Sequence, residues 1–234
     1  MDDLLAGLAG ALRLLLSGDA GVWEIVLLTL RVSGTALLIS AVLGVPAGVV
    51  LALRSFPGQR LVTTVIYTGM GLPPVVAGLV VYLLLSRSGP LGDLGWLFTP
   101  RAMVVAQVLI SLPLVVGLTM SAVEGITPEL RLQLRALGAT ERQIAQAILW
   151  EARAGMLVAL VAGFGSIISE VGAVLLVGGN IERSTRVLTT AIVLETRKGA
   201  FDQALALGFV LVGLTFVLNA LALRLRGALL HPAG

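Results

Sequence analysis

Cysteine is absent from the 234 residues, so disulfides, thiolate nucleophiles and cysteine metal sites are excluded. Histidine occurs once, as His231 beside the C-terminus, and a Ser–His pair or a histidine zinc site cannot be built in the interior. Lysine also occurs once. Lys198 is followed by Gly199-Ala200, so the Gly-Lys-Ser/Thr loop that cradles nucleotide phosphates is missing. Charged residues make up only 12% of the chain, against roughly 25% in an ordinary soluble domain. That is too little charge to cover a soluble surface of this size. Disorder is excluded from the other side, because 57% of the residues are hydrophobic. The class left is a polytopic membrane protein, with the lipid bilayer as its first partner. The net charge of +3 then reads as loop charge at membrane surfaces, and no nucleic-acid partner is expected.

What is present are long uncharged runs. Val32–Leu53 holds 22 residues, about 33 Å as a helix and enough to cross a ~30 Å hydrocarbon core. Leu61–Ser86, Ala102–Val123 and Gln203–Leu223 are similar. Ala154–Ile181 is interrupted only by Glu170. The short alternating segments of a transmembrane β-barrel are missing, so the fold is predicted to be all-α with five spans. A further apolar stretch, residues 4–16, has Arg13 inside and is too short to cross; it reads as an interfacial helix or a short extra span. The acidic start Met1-Asp2-Asp3 is unlike a secretory signal, and none is expected. Pro46, Pro73-Pro74 and Pro113 fall inside spans. They read either as tolerated kinks or as hinges and cavity lining.

The longest polar connection is 124–153. Thr127-Pro128-Glu129 is a helix start, Gly138 a helix stop, and Thr140-Glu141-Arg142-Gln143 a capping box. The connection is therefore predicted to be a short helix, a glycine turn and a second short helix. If it is cytoplasmic, the inner side carries eight basic residues and the outer side six, a weak bias in that direction.

Catalysis has little to work with. The spans offer one carboxylate, Glu170, so neither a carboxylate dyad nor a nucleophile–base pair is available, and the chain is not expected to be an enzyme. Transport is then passive, gradient-driven, or driven by another subunit. A charge at mid-bilayer costs on the order of 3 kcal/mol, so Glu170 faces the interior. It reads either as a pathway or gate residue, or as a hydrogen-bonded structural carboxyl, or as one brought near the interface by a helix break at Gly172 or Gly178-Gly179. Arg31, seven residues after Glu24, reads as an interfacial anchor or ion-pair partner.

The connection carries a family resemblance. Leu134-Arg135-Ala136-Leu137-Gly138-Ala139-Thr140, with Ile148 ten residues after Gly138, resembles the cytoplasmic loop of binding-protein-dependent ABC importer permeases. The family pattern is Glu-Ala-Ala, three residues, Gly, nine residues, Ile, one residue, Leu-Pro; here the ends depart, as Leu132-Gln133-Leu134 and Trp150-Glu151. Met70–Gly78 and Leu84–Gly92 look like the second span and outer loop of tungstate-type permeases. Ile168–Ala173 and Thr185–Ala191 look like the fourth span and outer helix of the molybdate/tungstate/sulfate branch. The resemblance covers roughly residues 22–226, as a transmembrane domain between an N-terminal segment 1–21 and a tail 227–234.

The resemblance implies a five-span type I importer core in the cell membrane, with 124–153 cytoplasmic. It implies a homodimer with a second copy, two cytoplasmic ATPase subunits that hold the ATP and Mg, no cofactor in this chain, and an extracellular or periplasmic binding protein. The ATPase-coupling residues would be Pro128, Glu129, Arg131, Arg135, Ala136, Leu137, Gly138, Ala139 and Thr140. Pro73, Pro74, Ser169, Glu170 and Gly172 would belong to the pathway or gate. The cargo implied is an oxyanion, tungstate first and molybdate next, with sulfate, phosphate or an amino acid as other cargoes.

Overall fold

The computed structural model describes residues 10, 20–126 and 128–230. The expected short helix over 4–16 lies outside these residues, Gly10 apart, as does the cap Thr127. Every regular element among the described residues is helical: α1 (Ala20–Leu53), α2 (Gln59–Met70), α3 (Pro74–Leu85), a single 3₁₀ turn (Gly92–Leu94), α4 (Pro100–Glu124), α5 (Pro128–Ala136), α6 (Glu141–Ile168), α7 (Gly172–Gly178), α8 (Leu188–Arg197) and α9 (Phe201–Leu230). In hydrocarbon, backbone amides and carbonyls find no water, and the helix satisfies them within the segment. Four helices are long and apolar enough to cross, α1, α4, α6 and α9, and α2 with α3 form a bent fifth.

Three expected elements differ in detail. The second run is not one rod. Gly71 and Leu72 close α2 with tight turns onto Thr68 and Gly69, Pro73 follows, and α3 leaves at 103° to α2. The two prolines explain it: Pro74 has no amide to continue the ladder, and its ring bars helical backbone at Pro73. The fourth run breaks at Ser169–Val171, dividing α6 from α7. The second helix of the polar connection is not a separate short piece, because it continues without interruption into the span as α6. Pro46 and Pro113, by contrast, sit inside uninterrupted helices. α1 also starts twelve residues before its uncharged run, since charge bounds the membrane-embedded length and not the helix.

α4 is the central post. It packs most extensively on α1, then on α6, and also touches α2, α3 and α7. Close approach rests on small residues, as expected where lipid supplies no hydrophobic drive between helices. A side chain at Gly48 of α1 would meet the Val116 carbonyl of α4 at 2.6 Å. Ser40 and Ser111 share a hydrogen bond of 2.7 Å across the same seam. Gln107 reaches from α4 to the Ile167 carbonyl at the end of α6, donating at 3.0 Å. The outer half of the core is built from Val32, Ala36, Ala77, Val81, Met103, Ala106, Ala173 and Val177. The inner end is a separate cluster of Val123, Ile144, Ile148 and Ala152.

α3 and α7 meet through Gly78, whose added Cβ would stand 2.5 Å from the Ala173 Cα. Backbone cannot swing aside as a side chain can, so Gly78→Val forces the two helices apart. The expected cost is about 1–3 kcal/mol, read as a lowered unfolding midpoint in detergent. Gly213→Ala in α9, where nothing lies within 4 Å, is expected to leave the midpoint unchanged.

Candidate functional site

Two regions gather the residues singled out by sequence. The first is the elbow at the polar end of the bundle. α5 ends in a Schellman turn: the Ala139 amide donates to the Leu134 carbonyl at 3.0 Å and the Gly138 amide to Arg135 at 3.0 Å. Gly138 has φ +79°, the left-handed value that this turn needs and glycine adopts without strain. Leu134 and Ala139, the apolar pair that accompanies such turns, lie together against the inner core. Thr140 then opens α6. Its hydroxyl accepts from the Gln143 amide at 3.4 Å, and its own amide donates to Gln143 Oε1 at 2.8 Å, the reciprocal box predicted from sequence.

Arg135 bridges the elbow, with Nη2 and Nε at 2.8 and 3.0 Å from Glu141 Oε1. Both side chains are more than half exposed, so the pair adds at most about 1 kcal/mol and serves to orient. Glu129 is exposed and Arg131 half-buried on the same short helix. Ile148, part of the sequence motif, is wholly buried beneath the elbow and anchors it. Leu137 and Leu132 instead stand 83% and 65% exposed, with Trp150 at 65% on the first turns of α6, its ring under the Arg153 guanidinium at 4.2 Å. Such apolar groups at a polar end mark a surface made to be covered. Leu132 and Trp150 were not singled out beforehand, because an apolar residue in a helical pattern reads by default as core.

The second region lies where the two broken spans meet. α3 runs beside α7, and Gly172 is pressed so closely on Val75 that an added Cβ would stand 2.7 Å from its methyl. This brings the Pro73-Pro74 break next to the Ser169–Gly172 break. Ser169 is exposed and donates back to the Gly165 carbonyl at 2.9 Å. Glu170 is half-buried, and its Oε1 accepts from the Ala173 amide at 2.9 Å. No ion pair to Glu170 is found among the described residues. The carboxylate thus caps the first turn of α7, where an acid at a helix start is favoured. Glu170 is therefore a hydrogen-bonded carboxyl at a helix break, with part of its surface open. Thr189 of α8 donates to the Glu170 main-chain carbonyl at 2.9 Å. That contact spans nineteen residues and had no sequence signal beyond a threonine in a short outer helix.

Among the described residues no group of acidic or histidine side chains is placed to hold a metal. The arrangement offers hinges, a capped elbow and exposed apolar contacts.

Glu170→Ala removes the cap on α7 and is expected to cost about 0.5–2 kcal/mol. Glu170→Gln keeps an acceptor oxygen and is expected to retain most of the stability. Thermal unfolding of the purified protein in detergent checks both.

Residues 44–231 match the family of binding-protein-dependent transport system inner membrane components. A probable anion ABC transporter permease protein of Haloferax volcanii is 47% identical over 217 residues, covering 89% of this chain and 94% of its own length. The tungstate uptake system permease protein TupB of Peptoclostridium acidaminophilum is 40% identical, covering 94% and 96%. The molybdenum transport system permease protein ModB of Escherichia coli is 32% identical, covering 73% and 78%. Among solved structures, the inward-facing MetNI methionine ABC transporter aligns with a TM-score of 0.72 at 20% identity, over 93% of this chain and 98% of that one, which shows the shared fold. The elbow, the two broken spans and the central post are therefore those of a multi-pass cell-membrane protein, and the chain belongs to the binding-protein-dependent family of ABC importer permease subunits.

Proposed function

We propose that this chain forms the translocation pathway of an ATP-driven tungstate importer, working as a homodimer with two cytoplasmic ATPase subunits and an extracellular or periplasmic binding protein. The observation that carries the ATP-driven part is the elbow: a rigidly capped short helix with exposed Leu132 and Leu137, on a chain that has no phosphate-binding loop of its own. ATP and Mg belong to the partner, and this chain needs no cofactor. The cargo follows from the relatives, since a tungstate uptake permease matches over nearly the whole length. Molybdate is the next cargo in line, on the similarity to ModB.

The second copy is favoured by the bent span. α2 has no buried residue and is only 12 residues, about 18 Å, long. At the break that follows, Gly71 and Pro73 are exposed, and irregular backbone at membrane depth must face protein or water. Pairing two copies along α2 and α3 meets that need and encloses a conduit between them. Glu170 stands beside this conduit, where a fixed negative charge repels a dianion. It therefore acts at the gate and not as a ligand, and selectivity resides in the binding protein. In the alternating-access cycle, closure of the ATPase dimer moves α5, the pathway opens outward to a docked binding protein, and hydrolysis restores the inward state. Pro128, Glu129, Arg131, Arg135, Ala136, Leu137, Gly138, Ala139 and Thr140 make the ATPase contact in this scheme, and Pro73, Pro74, Ser169, Glu170 and Gly172 make the gate.

Reconstituted vesicles test the reading. Tungstate uptake is expected only when ATPase, ATP and binding protein are all supplied. Uptake by this chain alone would identify a passive channel or gradient-driven carrier, and a binding protein that prefers an amino acid would remove the oxyanion cargo. Gly138→Asp tests the elbow. Nothing lies within 4 Å of an added Cβ there, so the carboxylate projects outward, and the strain of a non-glycine residue at φ +79° falls on the exposed turn, outside the packed spans. Loss of uptake with a spectroscopically intact protein is expected; normal ATP-driven uptake would contradict the elbow's role.

A further inference from the structure

We infer that Thr189 is a positioning residue for the gate: it carries the state of the outer helix α8 to the break at Glu170. The inference rests on the reading of that break as part of the gate and adds the element that controls it from outside.

Residue 170 is held by both of its arms. Its side chain caps α7 through the Ala173 amide at 2.9 Å, and its main-chain carbonyl accepts from the Thr189 hydroxyl at 2.9 Å. Breaking α6 releases this carbonyl from the helical ladder, and in apolar surroundings it needs a partner. The partner comes from α8, a different element that is itself firmly seated. The Leu188 amide donates to Thr29 Oγ1 of α1 at 3.0 Å. Thr190 closes the first turn on Val187, its hydroxyl accepting from the Val187 amide at 3.1 Å. Asn180, just after α7, donates from Nδ2 to the Thr190 carbonyl at 3.3 Å. Thr189 and Thr190 are both buried.

Another face of α8 looks elsewhere. Ala191 and Glu195 line an outward cup of about 340 Å³, shared with Glu24 of α1 and with Glu182, Arg183 and Arg186 of the preceding turn. The cup carries charges of both signs at the end of the bundle opposite the elbow, where a water-soluble partner reaches the protein. Ala191 is two residues from Thr189. A partner seated in the cup therefore bears on the same helix whose hydroxyl fixes residue 170, and the break is the bistable element that such a contact can bias.

The test uses the full complex in liposomes with the tungstate-loaded binding protein, comparing wild type, Thr189→Val, which keeps the shape and loses the donor, and Thr189→Ser, which keeps the donor. Three rates are read: ATPase without binding protein, ATPase with it, and tungstate uptake. Thr189→Val is expected to keep the unstimulated ATPase rate while stimulated ATPase and uptake fall about tenfold, the size of a typical coupling between sites. Thr189→Ser is expected to restore both. Should the valine variant fail to assemble, Thr189→Cys, a weaker donor of similar size, is expected to show intermediate stimulation. Wild-type stimulation in the valine or cysteine variant would overturn the inference and leave the importer reading intact. A parallel fall of unstimulated and stimulated rates in an assembled variant would also overturn it, because it marks a purely structural bond. Absence of stimulation in the wild-type complex would remove the importer reading itself.

Discussion

Every backbone amide and carbonyl within hydrocarbon has to find a partner inside the protein, and the architecture is organised around the few places where a helix cannot provide one. Four spans, α1, α4, α6 and α9, are single helices and solve the problem within themselves. The fifth is broken at Pro73, and α6 gives way to α7 through a second break at Ser169–Val171. Their freed groups are served by turns onto Thr68 and Gly69, by the Gln107 amide on Ile167, by Ser169 on Gly165 and by Thr189 on Glu170. Placing the two breaks side by side, with Gly78 against Ala173, confines irregular backbone to one region. The same requirement that makes breaks costly toward lipid makes them useful where a conduit has to form.

The chain divides its work between ends. At the elbow the hydrogen bonds are local and complete, and apolar side chains are left outward. At the breaks, local turns are joined by bonds between elements, from Gln107 to Ile167 and from Thr189 to Glu170. The chain's energetics are those of surfaces: Leu132, Leu137 and Trp150 on one side, and the exposed apolar faces of α2 and α3 on another.

Much of this was legible from sequence because the bilayer imposes a length and the caps impose spacings. The uncharged runs located all five spans. Pro128, Gly138 and Thr140-Gln143 set the elbow to within a residue, since each acts through its own backbone. The bend of 103° was only half legible. Pro73-Pro74 announced a kink, yet Pro113 did not break α4, because the local ladder is interrupted while close packing around Gly69 and Ser40 holds the helix in line. Glu170 was found as an anomaly of charge, but its role as a cap depends on α7 starting two residues later. Thr189 and Thr29 were invisible, since a hydroxyl's partner nineteen or 159 residues away leaves no local pattern.

α6 joins the two regions as one piece. It is 28 residues long, about 42 Å, fixed at one end by the Thr140–Gln143 box and ending at Ile168, next to Glu170. An unbroken helix of that length is a stiff lever. Its closest approaches to α4, Gly155 on Ala122 and Gly163 on Val115, both lie in its second half, so the elbow is the long arm and the Glu170 end the short one.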